Sequence, residues 1–156
     1  MTSATSESKT GVYRPNSGFY LKSDNGNTWN PATDLALTWD NINGDLPLAG
    51  NWGGDGKSKT GVYRPGAGFF LKMDNTNTWT PATDLALIWD NIPGDLPVAG
   101  DWNKDGYTET GVYRPGVGFL LKMDKPSDNT AWNSATDLAI TWDNIDIDLP
   151  IAGNFV

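Results

Sequence analysis

The chain contains no cysteine and no histidine, and both absences exclude chemistry. Without cysteine there is no disulfide framework and no thiol nucleophile. Without histidine there is no imidazole base, and the two absences together remove zinc sites of the Cys/His type. The missing cysteine also leaves the redox compartment unread, because such a chain suits either side of a membrane. Positive charge is scarce: 11 Lys+Arg stand against 19 Asp+Glu, a formal net charge of -8. A field of that sign repels polyanions, so nucleic acid is excluded as a partner. No apolar run approaches the roughly 18–20 residues of a membrane span, and the polar start Met1–Thr10 lacks an apolar signal-peptide stretch. A soluble protein without membrane insertion is expected, its location unassigned.

What the chain has in abundance is repetition. GVYRP occurs at Gly11–Pro15, Gly61–Pro65 and Gly111–Pro115, and ATDLA at Ala32–Ala36, Ala82–Ala86 and Ala135–Ala139. The offset is 50 residues except for the last ATDLA, displaced by 53, so the third copy carries three extra residues around Lys125–Asn129. Gly11–Gly50 and Gly61–Gly100 differ at only nine of forty positions. One supersecondary unit is therefore used three times, by recent duplication or by engineering. The 156 residues read as a single repeat domain, with repeat 1 at about 11–52, repeat 2 at about 61–102 and repeat 3 at about 111–156.

Each unit predicts four short strands, shown here for the second copy. Thr60–Arg64 and Gly68–Lys72 flank a Pro/Gly turn and read as a hairpin; Asp84–Asp90 is a third run and Leu96–Trp102 a fourth. A helix at Ala82–Trp89 is the local alternative, since Leu and Ala favour one, but the run is short. Twelve strands punctuated by turns make an all-β domain. The fourth-strand segment Leu46–Trp52 leads directly into the next GVYRP strand, whereas its third copy, Asp148–Val156, has no successor among these residues. Its natural partner is the first strand of the first copy, in the same chain or in another.

Between the second and third copies lies Asp101-Trp-Asn103-Lys-Asp105-Gly106-Tyr107-Thr-Glu109, with oxygen ligands at alternate positions and Gly at the sixth. That spacing wraps a loop around a hard cation such as calcium, with Asp101, Asn103, Asp105, Tyr107 and Glu109 as ligands. The alternative is a turn held only by Asx hydrogen bonds. The order Ala99-Gly-Asp-Trp-Asn-Lys-Asp-Gly followed by a Thr-Gly-Val-Tyr strand resembles the FG-GAP/VCBS repeats of integrin-like β-propellers. It is also similar to the propeller lectins of mushrooms and bacteria. The equivalent loop Asn51-Trp-Gly53-Gly-Asp55-Gly56-Lys57-Ser-Lys59 loses two ligand positions, one to a cation, and the third loop, Asn154–Val156 with Met1–Thr10, has no comparable carboxylates. At most one calcium loop per chain is expected.

The resemblance implies four-stranded blades. Ordinary closed rings hold 4–8 of them, so three repeats predict half of a six-bladed β-propeller closed by homodimerisation. The rival is a three-fold monomer, a β-trefoil or β-prism. The resemblance also implies extracellular or surface use.

Catalysis is not expected. Nearly every carboxylate recurs in each copy, and a glycosidase-type pair needs one acid unlike the other. Repeated sites suit multivalent glycan binding, in which an indole stacks on the apolar face of a sugar and Arg, Asp and Asn meet its hydroxyls. Trp29, Trp79 and Trp132 follow polar runs, Arg14, Arg64 and Arg114 follow a Tyr, and Asn41, Asn91 and Asn144 follow Trp-Asp. These are the ligand-binding candidates. The competing reading assigns the tryptophans to packing between sheets and the arginines to pairing with a neighbouring Asp. The protein is then a self-assembling scaffold with no small ligand.

Overall fold

A computed structural model describes residues 7–155 apart from Asp90, Asp143 and Asn144. Eleven strands form in chain order: β1 Gly11–Arg14, β2 Gly18–Leu21, β3 Leu35–Leu37, β4 Leu46–Gly50, β5 Lys59–Arg64, β6 Gly68–Leu71, β7 Leu85–Leu87, β8 Leu96–Gly100, β9 Glu109–Arg114, β10 Gly118–Leu121 and β11 Leu138–Ile140. The extra residues of the third copy form a single 3-10 turn at Pro126–Asp128.

The strands make three separate antiparallel sheets, ordered β1-β2-β3, β4-β5-β6-β7 and β8-β9-β10-β11. The fourth strand of one repeat therefore heads the sheet of the next, as the short connection from Leu46–Trp52 into GVYRP requires. The all-β expectation holds, and the helix alternative at Ala82–Trp89 does not form. The third strand is shorter than the expected Asp84–Asp90, only Leu85–Leu87, because Asp84 closes the loop before it. Its carboxylate accepts the Met73 and Thr80 amides and the Lys72 ammonium. The twelfth expected strand is absent: Leu149–Gly153 joins no ladder and lies largely exposed.

The register repeats from sheet to sheet. Leu46 opposes Tyr63 and Gly50 opposes Lys59, just as Leu96 opposes Tyr113 and Gly100 opposes Glu109. The tight β5–β6 turn depends on glycine. Gly68 sits at φ +120°, and a Cβ there would lie 2.2 Å from the Leu87 carbonyl oxygen.

The sheets stack face to face with sheet 2 in the middle. Val62 of sheet 2 packs with Phe19, Leu37 and Trp39 of sheet 1, and Val112 of sheet 3 joins Phe69, Leu87 and Trp89 of sheet 2. Strand β5 is consequently buried along most of its length, whereas β1 is mostly exposed. A buried hydrogen bond marks each junction: Trp39 Nε1 donates to Thr60 Oγ1 at 2.9 Å and Trp89 Nε1 to Thr110 Oγ1 at 3.1 Å. Strands β4 and β8 lie against each other, so the first strands of neighbouring sheets converge.

Candidate functional site

The expected ligand-binding side chains are largely engaged within the fold. Trp79 stacks on Trp39 at 5.8 Å and Trp132 on Trp89 at 6.0 Å, each crossing from one sheet to the next. Among the described residues Trp29, in the first copy, has no such tryptophan beside it. It meets Tyr20 edge-on and remains 39% exposed. Arg64 makes a two-pronged ion pair with the buried Asp45, at 2.8 and 2.9 Å, and Arg114 repeats it with Asp95. Arg14 lies over the Tyr20 ring without a carboxylate partner among the described residues. Asn91 accepts the Tyr63 hydroxyl and the Gly66 amide, which caps the hairpin, and Asn41 meets the Tyr13 hydroxyl. Asn144 lies outside the described residues.

The recurring aspartates also have structural partners. Lys22, Lys72 and Lys122 donate to Asp34, Asp84 and Asp137 at 2.7 Å in all three copies. The Asn30 amide, with Lys22 and Ser23, holds the Asp34 carboxyl well below the usual carboxylate range. Asp45 and Asp95 each accept an isoleucine amide three residues earlier in addition to their arginine. Each group is thus satisfied by charge and hydrogen bonds within its own repeat or its sheet neighbour.

The loop Asp101–Glu109 differs from all of these. Oxygens of Asp101, Asp105 and Glu109 lie within 4.8 Å of one another. Asp101 accepts the Asp105 and Gly106 amides, and Asn103 Oδ1 accepts the Asp105 amide, so the loop is curled with its acceptors grouped. Tyr107 donates its amide to Asp105, and its ring is covered by the Lys125 ammonium. Glu109 is buried; Oε2 accepts the Trp102 amide and Oε1 has no partner. Burial, with the nearby Asp105 and Asp101 charges, pushes the Glu109 carboxyl up to about 7.

The loop between repeats 1 and 2 is an internal comparison. Lys59 occupies the place of Glu109, and its ammonium sits 2.6 Å from Asp55. One loop therefore sets a lysine against its carboxylate, while the other gathers three carboxylates with a glutamate in that lysine's place. Residues 101–109 fit a hard oxygen-seeking ion, since an orphaned buried carboxylate oxygen is what such an ion satisfies. The two loops touch, because Thr108 donates its amide to the Asn51 carbonyl and Asn51 its side-chain amide to the Gly106 carbonyl. Of the third loop, Met1–Ser6 and Val156 lie outside the described residues.

Residue-type reasoning missed Thr60 and Thr110 as receivers of the indole N–H groups, and with them the link from Trp39 and Trp89 to the following sheet. The visible signal was a Thr directly before each GVYR, at Thr10, Thr60 and Thr110. Among the described residues no helix is long and apolar enough to cross a membrane. No family model matches the chain, and no curated protein or solved structure matches it either.

Proposed function

We propose that this protein is a self-assembling repeat scaffold, in which two chains close a six-bladed β-propeller ring. The observation that carries the reading is a mismatch in strand number. Sheets 2 and 3 have four strands, sheet 1 has three, and the fourth-strand sequence that would complete a sheet lies unpaired at Leu149–Gly153. A single chain is thus one strand short at one end of its row of sheets and one strand over at the other. Two rows of three sheets give six, within the 4–8 of ordinary closed rings. Mass in solution tests this: twice the 16.9 kDa of one chain is expected, and a single-chain mass overturns it in favour of a three-fold monomer.

The scaffold reading gains over sugar binding from the same contacts. Stacked Trp79 and Trp132 and the ion-paired Arg64 offer little free surface to a glycan. Selective binding on a glycan array by the folded assembly would restore the lectin reading.

A second reading is favoured by the orphaned Glu109 oxygen: one calcium-class ion per chain, held by Asp101, Asn103, Asp105, Tyr107 and Glu109. The ion's chemistry would be structural, replacing the charge that Lys59 supplies in the neighbouring loop. Calorimetric titration with calcium should give a stoichiometry of one per chain, and no heat would remove this reading.

A further inference from the structure

The open edge of β1 is shaped for one particular strand. An open cleft of about 690 Å³ runs beside Lys9–Tyr13 and is bounded on its other side by Pro47–Ala49 of β4. In sheets 2 and 3 the corresponding place is filled by β4 and β8 themselves, which lie against each other. Among the described residues sheet 1 therefore lacks its first strand, and with it that strand's neighbour across the junction.

Resting on the two-chain ring, we infer that this cleft is a donor-strand acceptor site whose occupant is the segment Asp148–Phe155 of a second copy. The register follows from β4 and β8: Leu149 opposite Tyr13, Pro150 opposite Val12, Ile151 opposite Gly11, Ala152 opposite Thr10 and Gly153 opposite Lys9. Main-chain pairing along an exposed edge supplies affinity, and alternate side chains supply selectivity.

Four independent features of the described residues match that occupant. Arg64 and Arg114 each hold the Asp that precedes the donated strand, and Arg14 lacks a carboxylate that Asp148 of the partner subunit would provide. Val12 is 59% exposed where Val62 and Val112 are fully buried. Trp142 is 65% exposed where Trp39 and Trp89 are buried, bonded to the Thr of the next sheet and stacked on its Trp. The partner's Trp142 would accordingly bond Thr10 and stack on Trp29, which explains why Trp29 alone lacks a stacked tryptophan. Ile151 and Phe155 are exposed, while their counterparts Leu48, Val98 and Trp52 are buried. The glycine at position 11 matters here: Val98 packs directly over Gly111, and a residue larger than glycine would close that space to Ile151.

The occupant is a second copy rather than the same chain because the two free faces lie at opposite ends of the row of sheets. Sheet 1 and sheet 3 each pack on sheet 2, which leaves the Val12 face at one end of the row and the Trp142 face at the other. The same recognition at both seams closes the pair with two-fold symmetry.

The chain has no cysteine, so engineered pairs report the register cleanly. The full chain carrying both Val12→Cys and Pro150→Cys is oxidised beside a second full chain carrying Lys9→Cys and Gly153→Cys, with Val12→Cys/Ala152→Cys as a register-shifted control. Light scattering is run on each. Covalent dimers from the two matched pairs, at least tenfold over the shifted control, are expected. A two-chain mass with no crosslink preference would overturn strand donation and leave the ring standing. A single-chain mass would remove both, and a crosslink formed within one chain would replace donation by self-closure. Arg14→Asp should weaken association at least tenfold and recover when mixed with Asp148→Arg; lack of recovery removes the Arg14–Asp148 pair.

Discussion

Trp89 and Trp142 occupy the same place in successive repeats, yet one is buried and bonded to Thr110 while the other is 65% exposed. Their truncations should therefore separate. Trp89→Ala removes a stacked, buried indole and should cost about 3–5 kcal/mol in urea denaturation. Trp142→Ala should leave the stability of the dissociated chain almost unchanged and act on association, as sedimentation at several concentrations would show. Equal costs for the two in dilute solution would contradict the open seam. Gly68→Ala places a Cβ against the Leu87 carbonyl at a positive φ. A loss of at least about 2 kcal/mol is expected, and circular dichroism during thermal melting reads it. Asp34 illustrates the sign of charge effects. Its folded carboxyl titrates below its unfolded value near 4, so the unfolded chain binds the proton first. The stabilisation it provides is complete above about pH 4 and falls away as the pH drops further. Asp34→Asn should flatten that acid limb of a Tm-versus-pH curve.

Among the elements, the two inter-repeat loops form a matched pair with opposite charge. Lys59 neutralises Asp55 from within, whereas Glu109 adds to the charge of Asp101 and Asp105. Exchanging one side chain should exchange the behaviour. Glu109→Lys is expected to stabilise the protein without calcium and to abolish calcium titration heat. The original chain should rise in Tm with calcium, by the equivalent of about 2.7 kcal/mol at a hundredfold excess over Kd. An unchanged Tm across millimolar calcium would dismiss the ion. The short third strands follow the same logic of local competition: Asp34, Asp84 and Asp137 capture backbone amides at the strand entrance and leave only Leu35–Leu37, Leu85–Leu87 and Leu138–Ile140 for the ladder.

At the scale of the whole molecule, the proposed two-chain ring would link stability to assembly. Val12, Trp142, Ile151 and Phe155 are large side chains left in water by a single chain, and burying each contributes about 1.5–3 kcal/mol. In the proposed ring, folding coupled to that burial would make the melting temperature rise with protein concentration. A Tm constant from about 1 to 100 μM would argue that the seams remain open.

The repeat, the strand-forming segments and the Gly-dependent hairpins were legible in the sequence because they depend on neighbours a few residues away. GVYR and its partner segment, GFYL, GFFL or GFLL, flank a Pro/Gly turn in every copy, and that local chemistry makes the same hairpin three times. The charged loop was legible too, since its carboxylates lie in one short run. What the letters left open was the role of each copy. Val12, Val62 and Val112 have the same neighbours in sequence, and only the stacking of sheets decides that two are buried and one is not. The same stacking sets Trp79 on Trp39 and Trp132 on Trp89, while Arg64 pairs with Asp45 at the head of its own sheet. Burial is a property of what lies across a sheet face, often 20 or more residues away in sequence, as the Trp39–Thr60 bond shows. Near-identical repeats therefore specify the sheet, and their position in the row specifies which faces stay open.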